Sequence, residues 1–190
     1  GESMPTPVES VVVAAMVQIA AGQNDNCGVA AGGTVWCWGA NGEVPIGDGS
    51  TDTAHPVPVQ VAGLDQVVEL SKGVWRTCAR RSDGSVWCWG LGQPLAGAIP
   101  SLQNVAQVGV GLHFQCARKS DGTVWCWGEN SLGQLGNEPF DGPTTVPVQV
   151  SGLPAAAVEI AVGHYHACAR LADDSVHCWG GLPTDTENLT

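Results

Sequence analysis

Eight cysteines and five histidines are the residues of this 190-residue chain best suited to covalent or coordination chemistry. The cysteines form four equally spaced pairs: Cys27 and Cys37, Cys78 and Cys88, Cys116 and Cys126, Cys168 and Cys178. Such pairs are either disulfides or soft-metal ligands. A metal site needs two pairs, or a histidine, to converge on one point, whereas a disulfide needs only two sulfurs facing each other. His164, His166 and Cys168 stand two residues apart on one face of a strand, so His164 and His166 are weak metal candidates. Residues at the position of His166 in the other units are Asp25, Arg76 and Phe114, so this pattern does not repeat. No metal site and no cofactor are expected. Nor does any nucleophile stand with a base, so no catalytic residue is expected. Asp83, Asp121 and Asp173 read as turn residues, and Asp48, Asp52 and Asp141 as solvated loop carboxylates.

What must position the cysteines is a hairpin. CARRSDGSVWC (78–88) matches CARKSDGTVWC (116–126), with looser copies at 27–37 and 168–178. Ser82-Asp83-Gly84 predicts a three-residue hairpin loop, a type I turn followed by a left-handed glycine. If Arg81 then faces Ser85, Cys78 faces Cys88 at a non-hydrogen-bonded position, where side chains approach most closely. That register favours disulfides in all four units and puts Gly28, Ala79, Ala117 and Ala169 opposite Trp36, Trp87, Trp125 and His177. Each bridge closes a loop worth about 2.7 kcal/mol in the chain-entropy model. Disulfides also imply an oxidising compartment, so the chain is expected to be secreted or periplasmic. The terminal Asn188-Leu189-Thr190 matches a glycosylation acceptor only formally.

Composition agrees with an all-β chain. Glycine and proline, 26 and 12 residues, are scattered rather than clustered, which favours many short strands over long helices. Seven basic against 18 acidic residues give a formal net charge of −11, so nucleic acid is not an expected partner. The longest apolar run, Val11 to Val17, is far shorter than a membrane span, so no membrane role is expected. The first cysteines of the pairs lie 51, 38 and 52 residues apart, close to the length of a four-stranded propeller blade. Candidate strands of the second unit run over 66–71, 77–81 and 85–89. The Pro-rich segments 56–61 and 146–150 suit an outer edge, where a missing N–H does no harm.

The whole pattern, with VWCWG at 86–90 and 124–128, Asp121-Gly122, Asn130 and Gly133-Gln134-Leu135-Gly136, resembles the regulator-of-chromosome-condensation (RCC1-like) repeat family over about residues 6 to 180. The resemblance implies a β-propeller, here in a disulfide-containing variant. The second unit departs from the motif at Leu91-Gly92-Gln93-Pro94-Leu95. His166 falls where that family carries a histidine that caps neighbouring backbone. The fold expected is one propeller domain, 1–190, with repeats at about 11–61, 62–99, 100–150 and 151–180. Residues 5–10 are expected to supply the outer strand of the last blade. Four such blades would close as one ring, pair as half of an eight-bladed homodimer, or belong to a longer array.

Seven of the eight tryptophans belong to the Trp-Cys-Trp motifs and are expected in the core. Trp75 and Arg76, His113, Phe114 and Tyr165 occupy turns that share one end of the propeller and make an expected binding rim. The function expected is an extracytoplasmic binding or protein-interaction module with a protein or glycan partner. The alternative is a metal-binding or enzymatic propeller using its central channel or the His164/His166 edge.

Overall fold

The computed structural model describes residues 15–42, 44–137 and 142–181, and these form fifteen strands without a helix. Blade 1 contains β1 (Met16–Ala21), β2 (Asp25–Ala30), β3 (Val35–Ala40) and β4 (Ala54–Gln60). Blade 2 contains β5 (Val67–Lys72), β6 (Arg76–Arg81), β7 (Val86–Gly90) and β8 (Gln93–Ala98). Blade 3 contains β9 (Val105–Val110), β10 (Phe114–Lys119), β11 (Val124–Gly128) and β12 (Thr144–Gln149). Blade 4 contains β13 (Ala157–Val162), β14 (His166–Leu171) and β15 (Val176–Gly180). Each blade is an antiparallel sheet paired in chain order. The segment 5–10, expected to complete blade 4, lies outside the described residues, as do Asp141 and the Asn188 acceptor.

The turn chemistry sets the register. Arg81 N donates to Ser85 O at 3.0 Å, and Cys78 faces Cys88, as Cys27 faces Cys37, Cys116 faces Cys126 and Cys168 faces Cys178. All four pairs are disulfides, with Cα atoms 4.0–4.1 Å apart. The turn glycine takes φ +78° at Gly84, and Asp174 accepts φ +64° at the same place in blade 4, a conformation aspartate tolerates better than most residues. Asp83, Asp121 and Asp173 bond the hydroxyl and backbone N–H two residues on. The hydroxyls of Ser85, Thr123 and Ser175 are the main reason these carboxyls lie below the usual aspartate range. The turns therefore keep these bonds above that range and lose them only as pH falls through the lowered pKa.

Alternation along the strands divides each blade into two apolar faces. Cys27, Val35 and Cys37 of blade 1 pack with Leu64, Val67, Leu70, Ala79 and Trp89 of blade 2. The same contact repeats between blades 2 and 3, and between blades 3 and 4. Valine and cysteine thus face the following blade, while the tryptophans face the preceding one. The Leu91–Leu95 departure is not a lost strand. Leu91 and Gly92, with φ +74° at the glycine, connect β7 directly to β8, where blade 1 uses a longer loop between β3 and β4. That shortened connection accounts for the 38-residue interval.

Polar side chains register the blades. Gln18 Nε2 donates to Leu70 O at 2.9 Å while Leu70 N donates to Gln18 Oε1 at 2.8 Å. Gln107 clamps Ile160 in the same way, at 2.8 and 2.9 Å, and Glu69 accepts from Val108 N at 3.4 Å. Gln107→Ala leaves both backbone groups of buried Ile160 without these partners. A loss of about 1–3 kcal/mol is expected in denaturant unfolding. Gln107→Glu, which retains an acceptor, should lose less.

Of the three expected closures, the single-chain ring is not seen: among the described residues, blade-to-blade contacts run between blades 1 and 2, 2 and 3, and 3 and 4. The physical sign is bare apolar surface at both ends, Ile19 on blade 1 and Val176 on blade 4, at 73% and 62% exposure.

Candidate binding face

Four equivalent turns, joining the first and second strand of each blade, converge at one end of the row. Each starts at a glycine whose N–H bonds a carbonyl three residues on: Gly22 to Asp25, Gly73 to Arg76, Gly111 to Phe114 and Gly163 to His166, at 2.8–2.9 Å. Each is then tied to the third strand of its blade. The carbonyls of Asn24, Trp75, His113 and Tyr165 accept from Ala40, Leu91, Glu129 and Gly181. The final glycine of VWCWG makes this possible. A β-carbon on Gly90, at φ +128°, would collide with the Trp75 carbonyl. The motif that builds the blade thereby also places the turn.

Asn24, Trp75, His113 and Tyr165 are therefore equivalent positions, three of them aromatic. Trp75 and His113 stack with centroids 5.9 Å apart and planes 10° from parallel, and Tyr165 meets His164 edge-on at 6.3 Å. The four turns border a concave space of about 820 Å³. His113, His164 and Tyr165 are exposed, and Trp75 and Arg76 are half-buried. Phe114 does not belong to this surface. It is fully buried in the core between blades 3 and 4, its ring packed beneath Gly111. The reason is positional: it opens β10, as Asp25 and His166 open β2 and β14, and those side chains also pack under the glycines of their own turns.

Arg76 donates to Gln93 Oε1 at 3.4 Å. Beside it, Glu129 lines an adjoining recess with Trp75, Arg76, Leu91, Leu112 and His113. Its carboxyl is held below the usual glutamate range, chiefly by the Ser131 N–H at 2.9 Å, so the face carries a fixed negative charge at neutral pH. Beneath the turns, Lys72 Nζ lies 2.6 Å from Asp25 Oδ2 and donates to Thr77 Oγ1 at 2.9 Å. Neither Glu129 nor Lys72 belongs to a repeat motif of the sequence. Lys72 had a signal, since Ala21, Val110 and Val162 occupy its position in the other blades.

The His164/His166 edge does not gather a set of metal ligands among the described residues. His166 packs against Gly163 while His164 is exposed on the rim, and Cys168 is bonded to Cys178. Among the described residues no group of three or more His, Cys, Asp or Glu side chains could hold a metal. Asp48, Ser50 and His55 do meet, yet Ser50 Oγ and Asp48 Oδ2 both contact His55 Nε2 at 3.0 Å. A relay needs the carboxylate on the other ring nitrogen, so this cluster staples the loop of blade 1. Asp48 is thus not solvated as expected, being only 12% exposed, whereas Asp52 is exposed.

Comparison with known proteins places the array. A family model described as the regulator of chromosome condensation (RCC1) repeat matches residues 121–170, and a second of the same description matches 16–43 and 105–134. Yeast RCC1 (Prp20), solved with Kap60, superposes at TM-score 0.76 with 23% identity over 92% of this chain and 45% of its own. Human WBSCR16 gives 0.72 and 21%, over 82% and 44%. The ectodomain of the Physcomitrella patens receptor kinase CR4 gives 0.61 and 23%, over 87% and 41%. The chain spans less than half the length of each of these three structures. Its four hairpin units, three with VWCWG and one with VHCWG, and its blades thus match the RCC1-like repeat, with a disulfide in every hairpin.

Proposed function

We propose that this chain is an extracytoplasmic protein-binding module that engages its partner on the aromatic end of the blade row. The convergence of four turns on one concave face carries the reading, with Trp75, His113 and Tyr165 at equivalent positions of successive blades. Aromatic side chains supply large contact area at low entropic cost, and with arginine they dominate binding energy at interfaces. Net charge −11 and the ionised Glu129 favour a partner with basic side chains, whose cations stack on aromatic faces. A neutral glycan gains nothing from that charge. Four disulfides are consistent with an oxidising compartment, and likeness to a receptor-kinase ectodomain fits the same setting.

The test is a panel of basic, neutral and acidic peptides against the intact protein. Basic peptides should bind best, more weakly as salt rises. Trp75→Ala should weaken binding roughly thirtyfold, the size of a 2 kcal/mol hot spot. Equal binding by the Trp75→Ala protein, or no preference for basic peptides, would overturn the proposal.

A further inference from the structure

The recess between blades 2 and 3 holds two opposite charges that the blades themselves do not need. Arg76 opens β6, and Glu129 directly follows β11. At the position of Glu129 the other blades carry Ala40, Leu91 and Gly181, so the scaffold uses only the backbone N–H there, which donates to the turn carbonyl. At the position of Arg76 the other blades carry Asp25, Phe114 and His166, each packed under its own turn glycine. Arg76 has left that place. A β-carbon on Gly73 would meet Val110 and the Gly111 carbonyl instead of the arginine. The guanidinium reaches Gln93 Oε1 at 3.4 Å, a long contact that uses one of five N–H donors. Glu129 Oε1 accepts from Asn130 N at 3.1 Å and Ser131 N at 2.9 Å, bonds that fix the carboxylate without occupying Oε2. The two charges do not neutralise each other, since no ion pair joins them among the described residues.

Both line one space of about 360 Å³, whose other walls are Trp75, His113, Leu91 and Leu112. Mostly apolar walls with a few polar groups are the usual makeup of a small-molecule site. The walls are also held in place. Leu91 N donates to Trp75 O, Glu129 N to His113 O and Leu112 N to His164 O, at 2.9–3.0 Å, so little ordering is left for a ligand to impose. We infer that this recess binds a free α-amino acid with an apolar side chain. Glu129 takes the ammonium, Arg76 takes the carboxylate, and the two leucines with Trp75 cover the side chain. The ligand class follows from the charges. A free amino acid carries ammonium and carboxylate on one carbon, whereas a peptide end carries one of them and an internal peptide unit neither. A ligand with a single charge would leave the opposite protein charge desolvated and unpaired. This site goes beyond the protein-binding reading and does not rest on it, although Trp75 and His113 border both spaces.

Calorimetric titration of the intact protein compares free leucine with leucinamide, which lacks the carboxylate, and with N-acetyl-leucine, which lacks the ammonium. Leucine should bind at least about tenfold more tightly than either, the size of one charge-assisted contact. Arg76→Gln should erase the preference over leucinamide and keep the preference over N-acetyl-leucine. Glu129→Gln should do the reverse. A general loss of structure would erase both preferences together, so the crossed pattern reports the two contacts themselves. Circular dichroism should show that the blades persist, since other blades carry neither charge at these positions. No binding of leucine at millimolar concentration, equal binding of leucinamide by the wild-type protein, or variants that keep both preferences would overturn the inference. The peptide panel is read separately: basic peptides that still bind a protein indifferent to leucine would sink this inference alone.

Discussion

Lys72→Ala is expected to lower the unfolding free energy by about 3–5 kcal/mol, the range for breaking a buried ion pair from one side. Lys72 and Asp25 side chains are 1% and 5% exposed, and their charged atoms lie 2.6 Å apart. Removing the ammonium leaves the carboxylate with little water and deprives the Thr77 hydroxyl of its donor. The measurement is a denaturant titration, in which the midpoint should fall at nearly constant slope. The double variant Lys72→Met with Asp25→Asn should recover most of the loss, because the desolvation burden leaves with the charges. Wild-type stability in the single variant would mean the pair is hydrated and contributes little. The pair also joins β5 of blade 2 to β2 of blade 1 directly below the candidate face. Its loss should therefore loosen the Gly22–Asn24 turn as well as the junction.

That ion pair marks where sequence reasoning stops. Register was readable because it follows from local chemistry: the Asp-Gly turn counts outward to the cysteines without any tertiary information. Face assignment followed from two-residue alternation, so the tryptophans could be placed opposite small residues before any packing was known. Contacts between blades have no such local rule. Gln18, Glu69 and Gln107 look like solvated polar residues until the neighbouring backbone appears across the junction. Phe114 was misplaced for a related reason. It directly follows exposed His113, yet the chain enters β10 there and turns the ring inward. Closure was the least readable property, because it depends on the angle accumulated over four blades rather than on any single residue.

The contrast between two tryptophans tests how the repeat divides its labour. Trp89→Ala is expected to cost about 3–5 kcal/mol, the range for deleting a buried aromatic side chain. Trp89 is fully buried and packs on blade 1, where Gly47 leaves room for its ring. A β-carbon there would stand 2.9 Å from the indole, at a glycine whose φ is +97°. Gly47→Ala should therefore also destabilise, through strain and collision instead of a cavity. Trp75→Ala removes the same side chain from a turn, where it is half-buried and stacks only on His113. Its effect on unfolding should stay within about 1 kcal/mol, near the range of ordinary surface substitutions. Paired denaturant titrations of the two variants decide the point. A large loss for Trp89→Ala with a small one for Trp75→Ala assigns the strand tryptophan to blade packing and leaves the turn tryptophan free for a partner. Equal losses would make Trp75 structural and remove the main support for a binding face. Trp87, Trp89, Trp125, Trp127 and Trp179 lie between blades and are fixed by packing, whereas turn residues need satisfy only the backbone. Asn24, Trp75, His113 and Tyr165 can therefore differ from blade to blade while the scaffold stays the same.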